Sequence, residues 1–453
     1  MAVAMARATT VHVCSQCGHE AARWHGQCPG CEEWNTLVEE RREGTSGPTK
    51  TKIGKAATPT PLREVSTSAE ERHLTHIGEL DRVLGGGLVP GSAVLLGGAP
   101  GIGKSTLLGM ALANIADKGE KVLYVSAEES AQQIRLRHQR LGGGALDVPV
   151  LAETDLGTVV ATLQAERPSV CVIDSVQTLH ADGLTGAPGS VGQVREVAGA
   201  LMRACKSQGT ALVLVGHITK EGDLAGPRVL EHLVDCVLRF DGQQERTYRT
   251  LRAMKNRFGS TAEAGVFEMA EGGLVEVLDA SARFVAEATR APGSIVMCAM
   301  EGSRPLLVEV QALVSPSELQ QPRRLANGID RNRLALVLAV LSRHGGVSLG
   351  NADVFLNVVG GVRVDEPGAD LAVAVAVAAA AKGVVPGGGN GPIACFGELG
   401  LTGEVRSVAH PEHRLAEAAK FGLKPVVAPP GAGGKSREVA SIREALAVIL
   451  DGA

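Results

Sequence analysis

The chain has 453 residues, 44% of them hydrophobic and 21% charged, and its 45 Lys+Arg against 49 Asp+Glu leave a net charge of −4. That length suits roughly two to four domains, and the balanced charge excludes a disordered polyelectrolyte and a uniformly basic nucleic-acid binder, so any nucleic-acid site has to be a local patch. Only 2 Trp, 2 Tyr and 7 Phe are present, which makes the core aliphatic and disfavours an aromatic stacking platform for single strands.

The opening MAVAMARATTVHVC has no sustained apolar segment followed by a small-residue cleavage site, so it does not read as a signal peptide, and a reducing cytoplasm is expected. Nine cysteines are present. Cys14-x2-Cys17 and Cys28-x2-Cys31 form two turns separated by ten residues, a spacing that closes a four-thiolate cage for a structural Zn2+. His19 is read as a bystander, and Trp24 and Trp34 are expected to pack around the metal. Spacing does not choose between DNA, a partner protein and a neighbouring subunit as what this knuckle touches. Cys171, Cys205, Cys236, Cys298 and Cys395 are scattered singly in apolar surroundings, which argues against a disulfide framework.

Residues 1–37 are thus a zinc knuckle and 38–74, polar and without apolar period, a linker. From Thr75 to about 287, short β-branched runs (SAVLLGG, KVLYVSAEE, VPVLAET, SVCVIDSVQ, ALVLVGHIT) alternate with helical stretches near 104–118, 131–141, 157–167 and 191–207. Such alternation predicts a parallel sheet covered by helices. CVLRFDG, RTYRTLRAMKNRFG and GVFEMAEGGLVEVL read as added antiparallel strands. Residues 288–453 form a second α/β domain. There LAVAVAVAAAA is too short for a membrane span of about 18 residues and reads as a buried helix.

Gly98, Ala99, Pro100, Gly101, Ile102, Gly103, Lys104, Ser105 and Thr106 match GxxxxGK[ST] between a strand and a helix. The glycines free backbone N–H groups to wrap phosphates, Lys104 reaches the β and γ phosphates of ATP, and the Ser105 hydroxyl ligates Mg2+. Asp174 ends the strand VCVID, where a carboxylate can hold the Mg2+ shell. Glu128 is the candidate base for the attacking water and Glu129 the alternative, though both could instead be helix-capping acids. His217 and Thr219 end the strand ALVLVGHIT, in position to sense the γ phosphate; a lone His there is more often a satisfied polar group. Arg135, Arg137 and Arg140 read as a solvated helix face.

The phosphate loop, Thr75 to Leu88, Ser126-Ala-Glu-Glu-Ser130 and Val172 to Thr178 resemble the RecA-type ATPase core of the RadA (Sms) family of bacterial DNA repair proteins. Lys255-Asn256-Arg257-Phe258-Gly259 reproduces that family's pentapeptide, a four-cysteine finger precedes the core as in the family, and Met300 to Glu309 and Gly397 to Val405 resemble its Lon-protease-like domain. The resemblance implies a RecA-like P-loop ATPase core between an N-terminal zinc knuckle and a C-terminal Lon-protease-like α/β domain. It implies a hexameric ring in the cytoplasm, associated with the nucleoid and with no membrane partner, that uses ATP to move on single-stranded and branched DNA. The ring would drive branch migration beside the RecA recombinase. By the same resemblance Lys255 and Arg257 act in trans on a neighbour's ATP. The pore-facing DNA loops would be 181–192 and 220–228, with Lys220 and Arg228 as candidate phosphate contacts. The Ser position of a Lon dyad falls on Gly368 and the Lys position on Glu412, so peptidase activity is not expected. The alternatives are an ATP-gated DNA-binding scaffold that assists RecA without translocating, and a phosphotransferase.

Overall fold

The computed structural model describes residues 9–14, 19–42, 61, 72–181, 187–218, 224–225, 229–242, 248–389 and 392–451. Two compact units divide the chain: the first holds 1–241, 251–261 and 270–275, the second 242–250, 262–269 and 276–453.

The first unit opens with β1 (Thr9–Cys14), β2 (Glu20–Ala21) and β3 (Leu37–Arg42), a small antiparallel sheet in the order β2-β1-β3. Among the described residues of this module, Cys14, Cys28 and Leu37 form the buried cluster. The short helix α1 (Gly78–Leu84) then precedes β4 (Ala93–Gly98), α2 (Lys104–Asp117), β5 (Val122–Ser126), α3 (Ala131–Leu141), β6 (Val150–Ala152), α4 (Leu156–Glu166) and β7 (Val170–Asp174). After these come α5 (Val191–Gln208), β8 (Ala211–Ile218), β9 (Leu224–Ala225), α6 (Val229–Leu233) and β10 (Cys236–Asp241). Strands β10-β4-β8-β7-β5-β6 lie side by side and all parallel, so CVLRFDG, expected as an antiparallel addition, is instead a parallel strand beside β4. β4, β5 and β7 are buried at every position, because helices cover both faces of a parallel sheet and leave no polar alternation in its strands. One apolar core joins Leu95, Leu123, Cys171, Ile173 and Leu214 of the strands to Val159 and Leu163 of α4 and Val194 and Leu201 of α5.

β11 (Tyr248–Asn256), β12 (Ala264–Ala270) and β13 (Gly273–Glu276) follow, and then the second unit continues with α7 (Ala280–Ala286). β14 (Ser294–Glu301), β15 (Arg304–Pro316), β16 (Arg324–Asn327), α8 (Arg331–His344), β17 (Ala352–Val358) and α9 (Asp370–Lys382) come next. The chain ends with β18 (Ala394–Cys395), β19 (Glu398–Leu399), β20 (Val405–Arg406), α10 (Pro411–Lys420), β21 (Val426–Ala428), β22 (Ser436–Glu438) and α11 (Ile442–Leu446). Its main sheet runs β16-β17-β15-β14-β18-β21-β22, mixed in direction, with β19 and β20 as a separate antiparallel pair. The apolar run expected as a buried helix is α9: Leu371 to Ala379 are all buried. No helix among the described residues is long and apolar enough to cross a membrane.

Candidate functional site

β4 runs into the phosphate loop at its carboxyl end. Gly101 and Gly103 take positive φ of 73° and 114°, a conformation glycine adopts without the cost a Cβ imposes, and this turns the backbone into the first turn of α2. Gly98 is needed for a different reason: a Cβ there would stand 2.7 Å from the Phe240 carbonyl oxygen on the adjacent β10. Lys104, at the start of α2, is buried, and its Nζ donates to the carbonyls of Gly98 at 2.8 Å and Ala99 at 3.0 Å. Burial holds its pKa below the usual lysine value, against the opposing pull of Asp174 and Glu128. An ammonium so placed gains from exchanging two carbonyl dipoles for phosphate oxygens.

Ser105 donates to Asp174 Oδ2 at 2.6 Å, so the α2 hydroxyl meets the carboxylate at the end of β7. This hydroxyl–carboxylate pair is the donor set a hydrated Mg2+ takes: hard oxygens, few in number, the rest left to water and phosphate. In the parallel register Ser126 lies beside Asp174, and the turn after β5 therefore delivers Glu128 and Glu129 to the same end of the sheet. Ser175 donates to Glu128 Oε1 at 2.5 Å. Ser130, not either glutamate, caps α3, accepting from Gln133 N while the Gln133 side chain accepts from Ser130 N. The capping alternative for the two acids is thereby removed.

Arg137 is not on a solvated face. Its Nη1 pairs with Glu129 and its Nη2 donates to the Tyr124 hydroxyl at 3.0 Å; that hydroxyl in turn donates to Asp174 Oδ2 at 2.5 Å. Burial, and then the Asp174 charge, push the Tyr124 phenol well above its usual pKa. Residue-type periodicity does not reveal this pair, because Arg137 carries the same signal as Arg135 and Arg140. The signal available was Tyr124 within the apolar run Val122 to Val125.

The pentapeptide packs at the other end of this unit. Lys255 Nζ donates to the carbonyls of Glu231 at 2.8 Å, His232 at 3.4 Å and Val234 at 2.8 Å, closing the end of α6. Asn256 donates to the Val83 and Leu84 carbonyls at the end of α1 and accepts from Phe258 N. Gly259 lies so near Gly85 that a Cβ would come to 3.0 Å of its Cα. Arg257 pairs with Asp235 at 3.2 Å while remaining 58% exposed, and Asp235 also accepts from Ala93 N, the first residue of β4. His217 stands on β8 opposite Gly98 in register. Thr219, Lys220, Arg228, residues 182–186 of the first expected DNA loop and all of the second except 224–225 lie outside the described residues.

In the knuckle, the Sγ atoms of Cys14, Cys28 and Cys31 lie within 4.8 Å of one another, Cys14 and Cys31 at 3.6 Å; Cys17 lies outside the described residues. A tetrahedral four-thiolate zinc, with Zn–S of about 2.3 Å, has S···S edges of about 3.8 Å, so the three thiols fit. His19 is not in the group; it lies over Gly30. The expectation for the tryptophans fails: Trp24 and Trp34 are 55% and 68% exposed, both lying over Gly26. The scattered cysteines are inert by contrast, burial pushing the thiols of Cys205, Cys236 and Cys298 up to about 12.

In the second unit Glu412 is exposed on α10, and Arg414 is the cation that reaches Gly368. The two lie two positions apart on one helix, roughly 200° around its axis, so only one of them can face inward.

A family model described as an AAA domain matches residues 58–223, and one described as a rubredoxin metal binding domain matches residues 12–39. The DNA repair protein RadA of Bacillus subtilis (strain 168) is 48% identical over 435 residues, 94% of this chain and 93% of its own length. That of Pseudomonas aeruginosa is 50% identical over 434 residues, 94% of each chain. Among solved structures, a KaiC-like protein of Pyrococcus horikoshii OT3 is similar at 20% identity and a TM-score of 0.38, covering 46% of this chain and 100% of its own.

Proposed function

The chain belongs to the RadA family of DNA repair proteins, and from that premise we propose that it is a DNA-dependent ATPase that drives branch migration of RecA-made joint molecules as a ring-shaped homo-hexamer. The observation that carries the ATPase part is the convergence of Lys104, Ser105, Asp174 and Glu128 at the carboxyl ends of β4, β7 and β5. ATP would lie along the phosphate loop, Lys104 moving from the Gly98 and Ala99 carbonyls to the β and γ phosphates. Ser105 and Asp174 would hold Mg2+, which neutralises phosphate charge when bound. Glu128 orients the attacking water and accepts its proton, while Glu129 is matched by Arg137.

The cations that stabilise the developing charge come, in this reading, from the neighbouring subunit as Lys255 and Arg257. A cis role is disfavoured by geometry: Arg257 is tied through Asp235 to the first residue of β4, and the phosphate loop leaves that strand's other end, about 3.3 Å per residue away. Single-stranded and branched DNA would be gripped by the loops carrying Lys220 and Arg228. The zinc knuckle of 1–37, the linker 38–74, the core 75–287 and the domain 288–453 divide the work. The last is a Lon-like scaffold for ring assembly without peptidase activity, since Gly368 supplies no nucleophile. The protein would work in the cytoplasm at the nucleoid.

The test is ATP hydrolysis with and without single-stranded DNA, run beside a branch-migration assay on preformed RecA joint molecules. Stimulated hydrolysis with branches that move only on hydrolysable ATP supports the motor. Stimulated hydrolysis with static branches replaces it by an ATP-gated scaffold.

A further inference from the structure

The ATPase reading gives tasks to Lys104, Ser105, Glu128 and Asp174 but none to Tyr124, and a role for Tyr124 at this site rests on that reading. The side chain is fully buried on β5, and its hydroxyl donates to Asp174 Oδ2 at 2.5 Å, the oxygen that also accepts from Ser105 at 2.6 Å. Arg137 reaches the same hydroxyl from α3 at 3.0 Å, with its guanidinium carbon 5.9 Å from the Tyr124 ring centroid, and its other arm holds Glu129. Packing alone requires none of this. A phenylalanine would fill the same volume, and a hydroxyl taken out of water is costly unless each of its bonds is made.

What the arrangement does is fix a carboxylate. Two hydroxyl donors on one oxygen stop Asp174 from turning about its Cβ–Cγ bond. Ser105 can keep donating its proton to Asp174 while its lone pairs face a cation, so the pair need not break when nucleotide binds. Arg137 has no acceptor of its own, which forces the Tyr124 oxygen to accept from the guanidinium and its proton to point at Asp174. One guanidinium therefore sets the direction of the Tyr124 proton and neutralises Glu129 at once.

We propose that Tyr124 and Arg137 are positioning residues for the divalent cation of a bound nucleoside triphosphate: Arg137 aims the Tyr124 hydroxyl, and that hydroxyl holds Asp174 in the orientation the hydrated cation requires. Neither touches the reacting atoms, so neither is a catalytic residue.

The experiment compares the full wild-type chain with Tyr124→Phe, Arg137→Ala and Arg137→Lys, reading Mn2+ binding by electron paramagnetic resonance in the presence of a non-hydrolysable ATP analogue. Analogue affinity without divalent cation is the control, and the Mg2+ needed for half-maximal hydrolysis the second readout. Losing one charge-assisted hydrogen bond to Asp174 should weaken Mn2+ binding about tenfold in Tyr124→Phe, with analogue affinity in the absence of cation altered less than about twofold. Arg137→Ala should shift Mn2+ binding in the same direction and Arg137→Lys, keeping the charge but not the fork, should recover part of it. Wild-type Mn2+ affinity and Mg2+ dependence in Tyr124→Phe overturns the proposal. If that variant does not fold, Arg137→Ala decides, and unchanged Mn2+ affinity there overturns it equally. A wild-type chain that binds no analogue under any condition overturns the ATPase reading instead.

Discussion

Arg414 and Glu366 form a two-point ion pair inside the second unit, Nη1 to Oε1 at 2.8 Å and Nη2 to Oε2 at 2.5 Å, with Arg414 fully buried. Nη1 also donates to the Cys298 carbonyl at 2.6 Å and Nε to that of Ala409 at 3.0 Å. Gly368 leans on the pair: a Cβ there would stand 3.0 Å from Arg414 Nη1 and 3.1 Å from Glu366 Oε2. A Ser–Lys dyad needs a hydroxyl and an amine that can take its proton. This place holds no side chain and a guanidinium, which offers donors and no acceptor.

Removing half of that pair should be expensive. Arg414→Met leaves the Glu366 carboxylate with the Met300 N–H but without its guanidinium, and breaking one side of a buried pair costs about 3–5 kcal/mol. Urea unfolding of the full chain should show the second unit's transition moved to lower urea, and Arg414→Met with Glu366→Leu should recover much of the loss. A single variant as stable as wild type would contradict that cost.

His138 makes the stability of α3 depend on pH. Its Nδ1 lies 2.9 Å from the Ala145 carbonyl, which can only accept, so Nδ1 carries the proton and the buried Nε2 is left bare in the neutral ring. Burial lowers its pKa, helped by the nearby Arg137 charge and opposed by the Ala145 bond and Glu129. The unfolded chain takes up this proton near pH 6.5 while the folded one resists it. Stability is therefore complete above that pH and falls as pH drops through it toward the lower folded value. Hydrogen-exchange protection of the α3 amides, corrected for intrinsic rates, should decline below about pH 6.5 in wild type. In His138→Asn, which keeps a donor for Ala145, it should stay flat, and equal profiles for the two proteins would remove His138 as the cause.

The knuckle predicts a stoichiometry. Cys28→Ser should lose one Zn2+ per chain in a chelator assay, whereas Cys205→Ser, whose buried thiol is pushed up to about 12, should keep it. Wild-type protein purified without zinc would end the four-thiolate reading.

What the sequence disclosed and what it concealed divide along physical lines. The strands β4, β5, β7 and β8 were legible because fully buried parallel strands are short, continuous apolar runs, and the phosphate loop because glycines and Lys-Ser stand at fixed offsets between strand and helix. Arg137 was hidden because whether a helical arginine faces water depends on what packs over it, here Tyr124. Arg414 was hidden for a related reason: choosing between it and Glu412 requires the rotation of α10, which a short polar helix does not encode in its own pattern. The exposure of Trp24 and Trp34 escaped because hydrophobic burial is the wrong default in a module too short to build a core around two indoles.

Turnover should depend on Lys104 and Glu128 in different ways. Lys104→Ala removes a phosphate-binding charge and should lower both nucleotide affinity and kcat, the latter by about a thousandfold. Glu128→Gln keeps the acceptor for Ser175 but cannot take a proton, so ATP binding should survive while kcat falls by about a hundredfold or more. Equilibrium binding of a fluorescent ATP analogue beside steady-state hydrolysis separates the two. If Glu129→Gln instead shows the selective loss of kcat, the base has been misassigned.

Lys255 and Arg257 should separate as well, although they sit two residues apart. Lys255 holds three carbonyls around the end of α6, so Lys255→Ala should lower both thermal stability and turnover. The Arg257–Asp235 ion pair is solvent-exposed on the arginine side, of the kind worth about 0–1 kcal/mol, so Arg257→Ala should leave stability and nucleotide binding near wild type while a trans role makes kcat collapse. Mixing then tests where the arginine acts. Lys104→Ala subunits have no working phosphate loop but an intact Arg257, and Arg257→Ala subunits have the reverse. In a ring, some interfaces of the mixture pair an intact loop with an intact arginine, and hydrolysis should reappear at intermediate ratios. An arginine serving its own subunit's ATP gives no such recovery at any ratio, and neither does a chain that never assembles.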